Sequence, residues 1–182
     1  MSNGTEKASG PSNLVLLGFM GSGKTSTGLV LSRLLGFRFV DMDAVLEERE
    51  GLPVSGIFEK KGEAHFRRIE KELVSELLSA SRQVIATGGG AWMDPGNRDR
   101  LLAGGRCVWL KVSAAQVWER VKGDLSTRPL LSRSPDPLAT IRSMLAEREP
   151  LYALATFTVE TDGATPESVA RRILERMAGE NP

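Results

Sequence analysis

Short apolar runs alternate with helical periodicities along most of this chain, and that alternation predicts its architecture. Residues 14–17 (Leu-Val-Leu-Leu) read as a buried strand, followed by a glycine-rich turn and a helix over about 24–35. Residues 38–40, 84–86, 107–110 and 157–159 are further short apolar runs and read as four more strands. The clearest helical period spans residues 63–78, where Phe66, Ile69, Leu73 and Leu77 share one face. Strands alternating with helices predict an α/β fold: a mostly parallel sheet with helices on both faces.

Two segments depart from that rhythm. Residues 1–13 are rich in Ser, Gly, Asn and Lys and have almost nothing to bury, which predicts a disordered tail. Between residues 122 and 137 the composition turns to Gly, Asp, Ser, Thr, Arg and Pro. A single domain has nothing there to link, so the segment is expected to be a mobile lid over a site. The 182 residues suffice for one such domain, expected over 14–182.

Composition narrows the partners. Lys plus Arg (24) nearly balances Asp plus Glu (23), which argues against a nucleic-acid partner. No apolar stretch approaches the roughly 20 residues needed to cross a bilayer, and the N-terminus lacks the charged and apolar regions of a signal peptide. A cytoplasmic protein with no membrane association is expected. Cys107 is the single cysteine, so no intramolecular disulfide can form, and its apolar surroundings predict a buried hydrophobe.

The strongest chemical signal is Gly18-Phe19-Met20-Gly21-Ser22-Gly23-Lys24-Thr25, a match to G-x-x-x-x-G-K-[ST] between a strand and a helix. Glycines let the backbone curl so that several N–H groups face phosphate oxygens, and the helix N-terminus adds about half a positive charge. Lys24 can bridge the outer phosphates and the Thr25 hydroxyl can ligate Mg²⁺. The expected nucleotide set is Gly21, Ser22, Gly23, Lys24, Thr25 and Ser26, which implies ATP with Mg²⁺ and leaves the acceptor open.

Four segments offer acceptor chemistry. Asp41-Met42-Asp43 follows the second strand, so one carboxylate can face a metal and the other a hydroxyl; helix capping is the competing role. Arg67, in Gly62-Glu63-Ala64-His65-Phe66-Arg67-Arg68-Ile69-Glu70, lies beside the apolar face and can point into a cleft or pair with Glu63 or Glu70. His65 is the only histidine and suits a surface or packing role. Gly88, Gly89 and Gly90 follow the third strand, where parallel sheets bind ligands, and allow close backbone approach. Arg128 falls inside the expected lid, and Arg148 ends a helical stretch and suits capture of a carboxylate.

Together GFMGSGKTSTG, DMD, GEAHFRRIE, ATGGGAW, RPLL and REPLY resemble the shikimate kinase family in order and spacing, over about residues 14–177. The resemblance implies a P-loop three-layer sandwich, a five-stranded parallel sheet in order 2-3-1-4-5, a helical substrate region around 42–70 and a monomer. It implies that Asp41 supports Mg²⁺ through water, that Asp43 binds ring hydroxyls of shikimate and is the base for its 3-hydroxyl, and that Arg67 and Arg148 hold its carboxylate. Gly88, Gly89 and Gly90 would line the substrate, Arg128 would be the lid arginine, and Arg120 would contact the nucleotide. The third strand ends without an Asp in the Walker-B place, as the glycine run of this family implies. Other readings stay open: another small-metabolite kinase such as a gluconate kinase, or a non-catalytic ligand-sensing module.

Overall fold

Five short strands form one parallel sheet in the computed structural model, which describes residues 13–123 and 129–179. They are β1 (Asn13–Leu17), β2 (Arg38–Asp41), β3 (Gln83–Ala86), β4 (Arg106–Lys111) and β5 (Phe157–Glu160). Their order is β2-β3-β1-β4-β5, as the resemblance implies, and all four pairings are parallel. The helices are α1 (Lys24–Leu35), α2 (Met42–Glu50), α3 (Val54–Leu77), α4 (Pro95–Gly104), α5 (Ala114–Val121), α6 (Pro129–Ser132), α7 (Pro137–Tyr152) and α8 (Pro166–Gly179). A 3₁₀ turn covers Ala91–Met93.

The central strand β1 is buried along its whole length because both faces are covered, which is why it reads as an unbroken apolar run. Alternate side chains enter different layers. Val15 and Leu17 pack with Leu73, Val74 and Trp92, whereas Leu14 and Leu16 pack with Val30, Leu31 and Ile173. A third cluster joins Phe19 of the phosphate loop to Val117, Val121, Leu131 and Ile141. Leu131, from the segment expected to be a lid, is fully buried there.

Three boundaries differ from the sequence expectation. Asn13, assigned to the tail, opens β1 and is buried. Its Nδ2 donates to the Ala80 carbonyl (2.9 Å) and its Oδ1 accepts from the Gln83 amide (3.1 Å), so hydrogen bonding lets a polar residue begin a buried strand. The helix expected over 63–78 is the second part of α3, which starts at Val54 and is interrupted at Gly62 (φ 83°, ψ 165°). β2 extends through Asp41, whose register partner on β3 is Ala86.

Candidate active site

The phosphate loop fills the turn from β1 to α1. Gly21 (φ 71°) and Gly23 (φ 91°) lie in the left-handed region that glycine tolerates. Gly23 is the N-cap of α1 and no side chain caps that end, which leaves the helix N-terminus to an anion. Lys24 folds back over the loop, its Nζ donating to the carbonyls of Gly18 (2.9 Å) and Phe19 (3.1 Å). Burial pushes the Lys24 ammonium below its ordinary pKa, while Asp43 and Asp41 pull it back up.

Gly21, Ser22, Gly23, Ser26 and Arg120 line one cavity of about 330 Å³. Arg120 closes one side, donating to the Gly21 carbonyl (2.7 Å) and the Thr161 carbonyl (3.0 Å). The Ser22 hydroxyl is buried without a partner, and the Ser22 amide donates to the Phe19 carbonyl (3.2 Å). Thr161, Ala164, Pro166 and Val169 complete the wall. These residues were not singled out from sequence, since nothing local marks them; the β5-to-α8 turn brings them beside Gly21. Their mixed surface suits the base and sugar of a nucleotide whose phosphates sit on the loop.

Asp41 and Asp43 divide as two roles. The Asp41 side chain caps α2, accepting from the amides of Asp43 (3.2 Å) and Ala44 (3.4 Å) through Oδ1, and takes the Thr25 hydroxyl on Oδ2 (2.8 Å). Capping and a hydrogen bond from the Thr25 hydroxyl are therefore compatible. Thr25 and Asp41 form a pair of hard oxygen donors at the loop, a set that suits Mg²⁺. Among the described residues no group of three or more His, Cys, Asp or Glu gathers to hold a metal.

Asp43 instead lines a second cleft of about 380 Å³ with Met20, Glu47, Phe58, Phe66, Arg67, Gly89 and Gly90. Burial raises the Asp43 carboxyl above its ordinary value, Asp41 adds to the rise, and Lys24 opposes it. The Arg67 guanidinium lies 5.4 Å from the Phe66 ring centroid and 5.7 Å from that of Phe58. It pairs with Glu70 (3.0 Å) and with Glu63 (3.3 Å), so the pairing read as an alternative coexists with a place in the cleft. Glu70 is almost wholly buried, and burial raises its carboxyl against the pull of Arg67. Sequence reasoning gave Glu70 no role of its own; the buried side chain behind Arg67 is what reveals it.

The glycine run serves space rather than torsion, because none of its three residues has a positive φ. A Cβ on Gly88 would strike the Asp43 carboxylate, and one on Gly90 would lie 2.9 Å from Arg67 Nη2 and 3.0 Å from its Cζ. At Gly89 a Cβ would meet nothing. Arg148 donates to the Gly89 carbonyl (3.0 Å) and lies over the Phe19 ring, 5.4 Å from its centroid. It reaches the cleft from the phosphate-loop side and is not among the residues that line the Asp43–Arg67 cavity. The Trp92 indole, donating to the Leu151 carbonyl (2.7 Å), fixes the end of α7 beside the glycines. Arg128 lies outside the described residues.

The family model described as shikimate kinase matches residues 20–178. Shikimate kinase from Moorella thermoacetica is 46% identical over 168 residues, spanning 92% of this chain and 95% of that one. The Thermodesulfovibrio yellowstonii shikimate kinase is 44% identical over 163 residues, 90% of this chain and 93% of its own. Among solved structures, shikimate kinase from Acinetobacter baumannii in complex with shikimate superposes with a TM-score of 0.88 at 37% identity, covering 94% and 95% of the two chains. A gluconokinase from Sinorhizobium meliloti shares the fold (TM-score 0.56, 93% of each chain) at only 19% identity. An ATP-type phosphate loop beside a carboxylate-and-arginine cleft, matched across nearly the whole length, places this chain in the shikimate kinase family.

Proposed function

We propose that this protein transfers the γ-phosphate of ATP to the 3-hydroxyl of shikimate, giving shikimate 3-phosphate and ADP, as a cytoplasmic monomer. The observation that carries the reading is that Asp43 and Arg67 line one cleft that meets the phosphate loop at Met20. Arg67 presents a guanidinium of fixed orientation to the acceptor's carboxylate, with Glu70 and Glu63 holding it from behind. Arg148 adds positive charge at the glycine side. Together they fix one end of the ring and place a hydroxyl by Asp43. Such positioning lowers barriers by up to roughly 7–11 kcal/mol in well-aligned systems.

Asp43 accepts the proton of the attacking hydroxyl, and its raised pKa makes its carboxylate a stronger base than that of an ordinary aspartate. Lys24, free to leave its loop carbonyls, and Arg128, matched by resemblance to the lid arginine, offset charge on the transferring group. Thr25 and Asp41 would hold Mg²⁺, which when bound neutralises phosphate charge.

The test is ADP release by purified protein with Mg-ATP and, in parallel, shikimate, gluconate or nucleoside monophosphates. Turnover with shikimate alone is expected. Faster turnover with gluconate assigns a different acceptor, and ADP release with none of them favours a ligand-sensing module.

A further inference from the structure

The break in α3 is spanned by one carboxylate. Glu50 is the last residue of α2, its side chain only 13% exposed, and its Oε2 accepts the Lys61 ammonium at 2.7 Å and meets His65 Nε2 at 2.9 Å. Lys61 immediately precedes Gly62 and His65 follows it by three residues, so the two arms come from opposite sides of the interruption. The histidine needs no extra proton for this. Arg68 Nη2 donates to His65 Nδ1 (3.3 Å), which leaves Nε2–H to donate to Glu50 in the neutral ring.

Both sides of the break wall the acceptor cleft. Phe58 stands three residues before Lys61, Phe66 and Arg67 directly follow His65, and the two phenylalanine rings stack with centroids 4.5 Å apart. Gly62 lies outside helical φ/ψ, so regular helix geometry does not set the angle between the two segments, and contacts across the break must fix it. We propose that Glu50 is a positioning residue for the acceptor pocket, clamping the two segments of α3 so that Phe58 and Arg67 keep their separation. Glu50 touches no reacting group, and the proposal rests on shikimate as the acceptor only for its kinetic arm.

The test compares wild type with Glu50→Ala, Glu50→Gln and Arg49→Ala. Arg49 makes the other ion pair between α2 and α3, with Glu76 (2.7 Å), away from the break. In Glu50→Ala the KM for shikimate is expected to rise roughly fivefold or more, with kcat and the KM for ATP within about twofold, the pattern of lost acceptor binding. Glu50→Gln, which keeps an acceptor oxygen, falls between, and Arg49→Ala matches wild type. Amide hydrogen exchange over residues 60–66 quickens in Glu50→Ala and not in Arg49→Ala. An unchanged shikimate KM, equal rises in both variants, or unchanged exchange overturns the proposal. A wild type inactive on shikimate overturns the functional reading instead, and the exchange result still decides whether Glu50 clamps the break.

Discussion

Replacing Gly90 by alanine isolates the guanidinium that is assigned to the acceptor. The backbone at Gly90 (φ −111°, ψ −16°) suits any residue, so the substitution adds only a methyl group. That methyl carbon would lie 3.0 Å from Arg67 Cζ, whereas relaxed carbon contacts sit at about 3.5–4.0 Å, so the guanidinium must retreat by roughly 0.5–1 Å. A charged hydrogen-bonded pair contributes about 1.5–3 kcal/mol, and a displaced but undeleted donor should lose about half of it. About 0.75–1.5 kcal/mol corresponds to a rise of roughly three- to twelvefold in the KM for shikimate. The methyl also crowds Nη1, the nitrogen that donates to Glu70, so a modest fall in melting temperature accompanies the KM effect; Arg67→Ala would strand that buried carboxylate and lower stability further. A coupled ADP assay with each substrate varied in turn, beside thermal melts, reads both quantities. A shikimate KM within twofold of wild type, or an ATP KM rising in step, refutes the placement of Arg67 against the acceptor.

Asp43→Asn should abolish turnover while ATP still binds by calorimetry, and near-normal activity would remove Asp43 as the base. Because the folded carboxyl titrates above its ordinary 3.8, its ionisation costs stability as pH rises through the folded value. At pH 8 the Asn variant should therefore melt no lower than wild type, with any gain vanishing as pH falls below 3.8; a gap that grows on acidification contradicts this. The acid limb of wild-type kcat/KM should have its midpoint above 3.8, since Asp43 must be ionised to accept a proton. Gly88→Ala should lower kcat on the order of 10²-fold by pushing the Asp43 carboxylate aside, and an unchanged kcat would show that the carboxylate has room. Thr25→Ala should raise the Mg²⁺ concentration giving half-maximal rate by roughly tenfold or more, and an unaltered Mg²⁺ titration would exclude the Thr25–Asp41 pair. Gly62→Ala faces an open space but a backbone region reserved for glycine, so it should cost about 1–3 kcal/mol and lower Tm by at least roughly 2 °C; an equal or higher Tm would mean that the break straightens without penalty.

What could be read from the sequence was whatever local physics enforces. The β1 run is apolar because both its faces are covered, and the phosphate loop announces itself because its curl demands glycines at fixed spacing. Asp43, Arg67 and Gly90 were legible as candidates, and they do share a cleft. What escaped depends on contacts between distant segments. Asn13 looked like tail because nothing in its neighbours shows the Ala80 carbonyl it meets. The first part of α3 carries Ile57 inward but has too short a period to stand out before Gly62 interrupts it. Thr161 and Pro166 join the cavity beside the phosphate loop only through strand order, and Glu70 reads as one more charged helical residue until its burial is seen.

The Asp-Met-Asp tripeptide has a consequence for how such a site can change. Met42 is wholly buried between the two carboxylates, so the residue proposed for the nucleotide end and the one proposed for the acceptor end are locked two residues apart at the start of α2. Insertion or deletion there would rotate both out of place at once. Change of acceptor is thereby channelled to the opposite wall, where Phe58 and Phe66 line the cleft, because bulk added at Gly88 or Gly90 would press on Asp43 or Arg67.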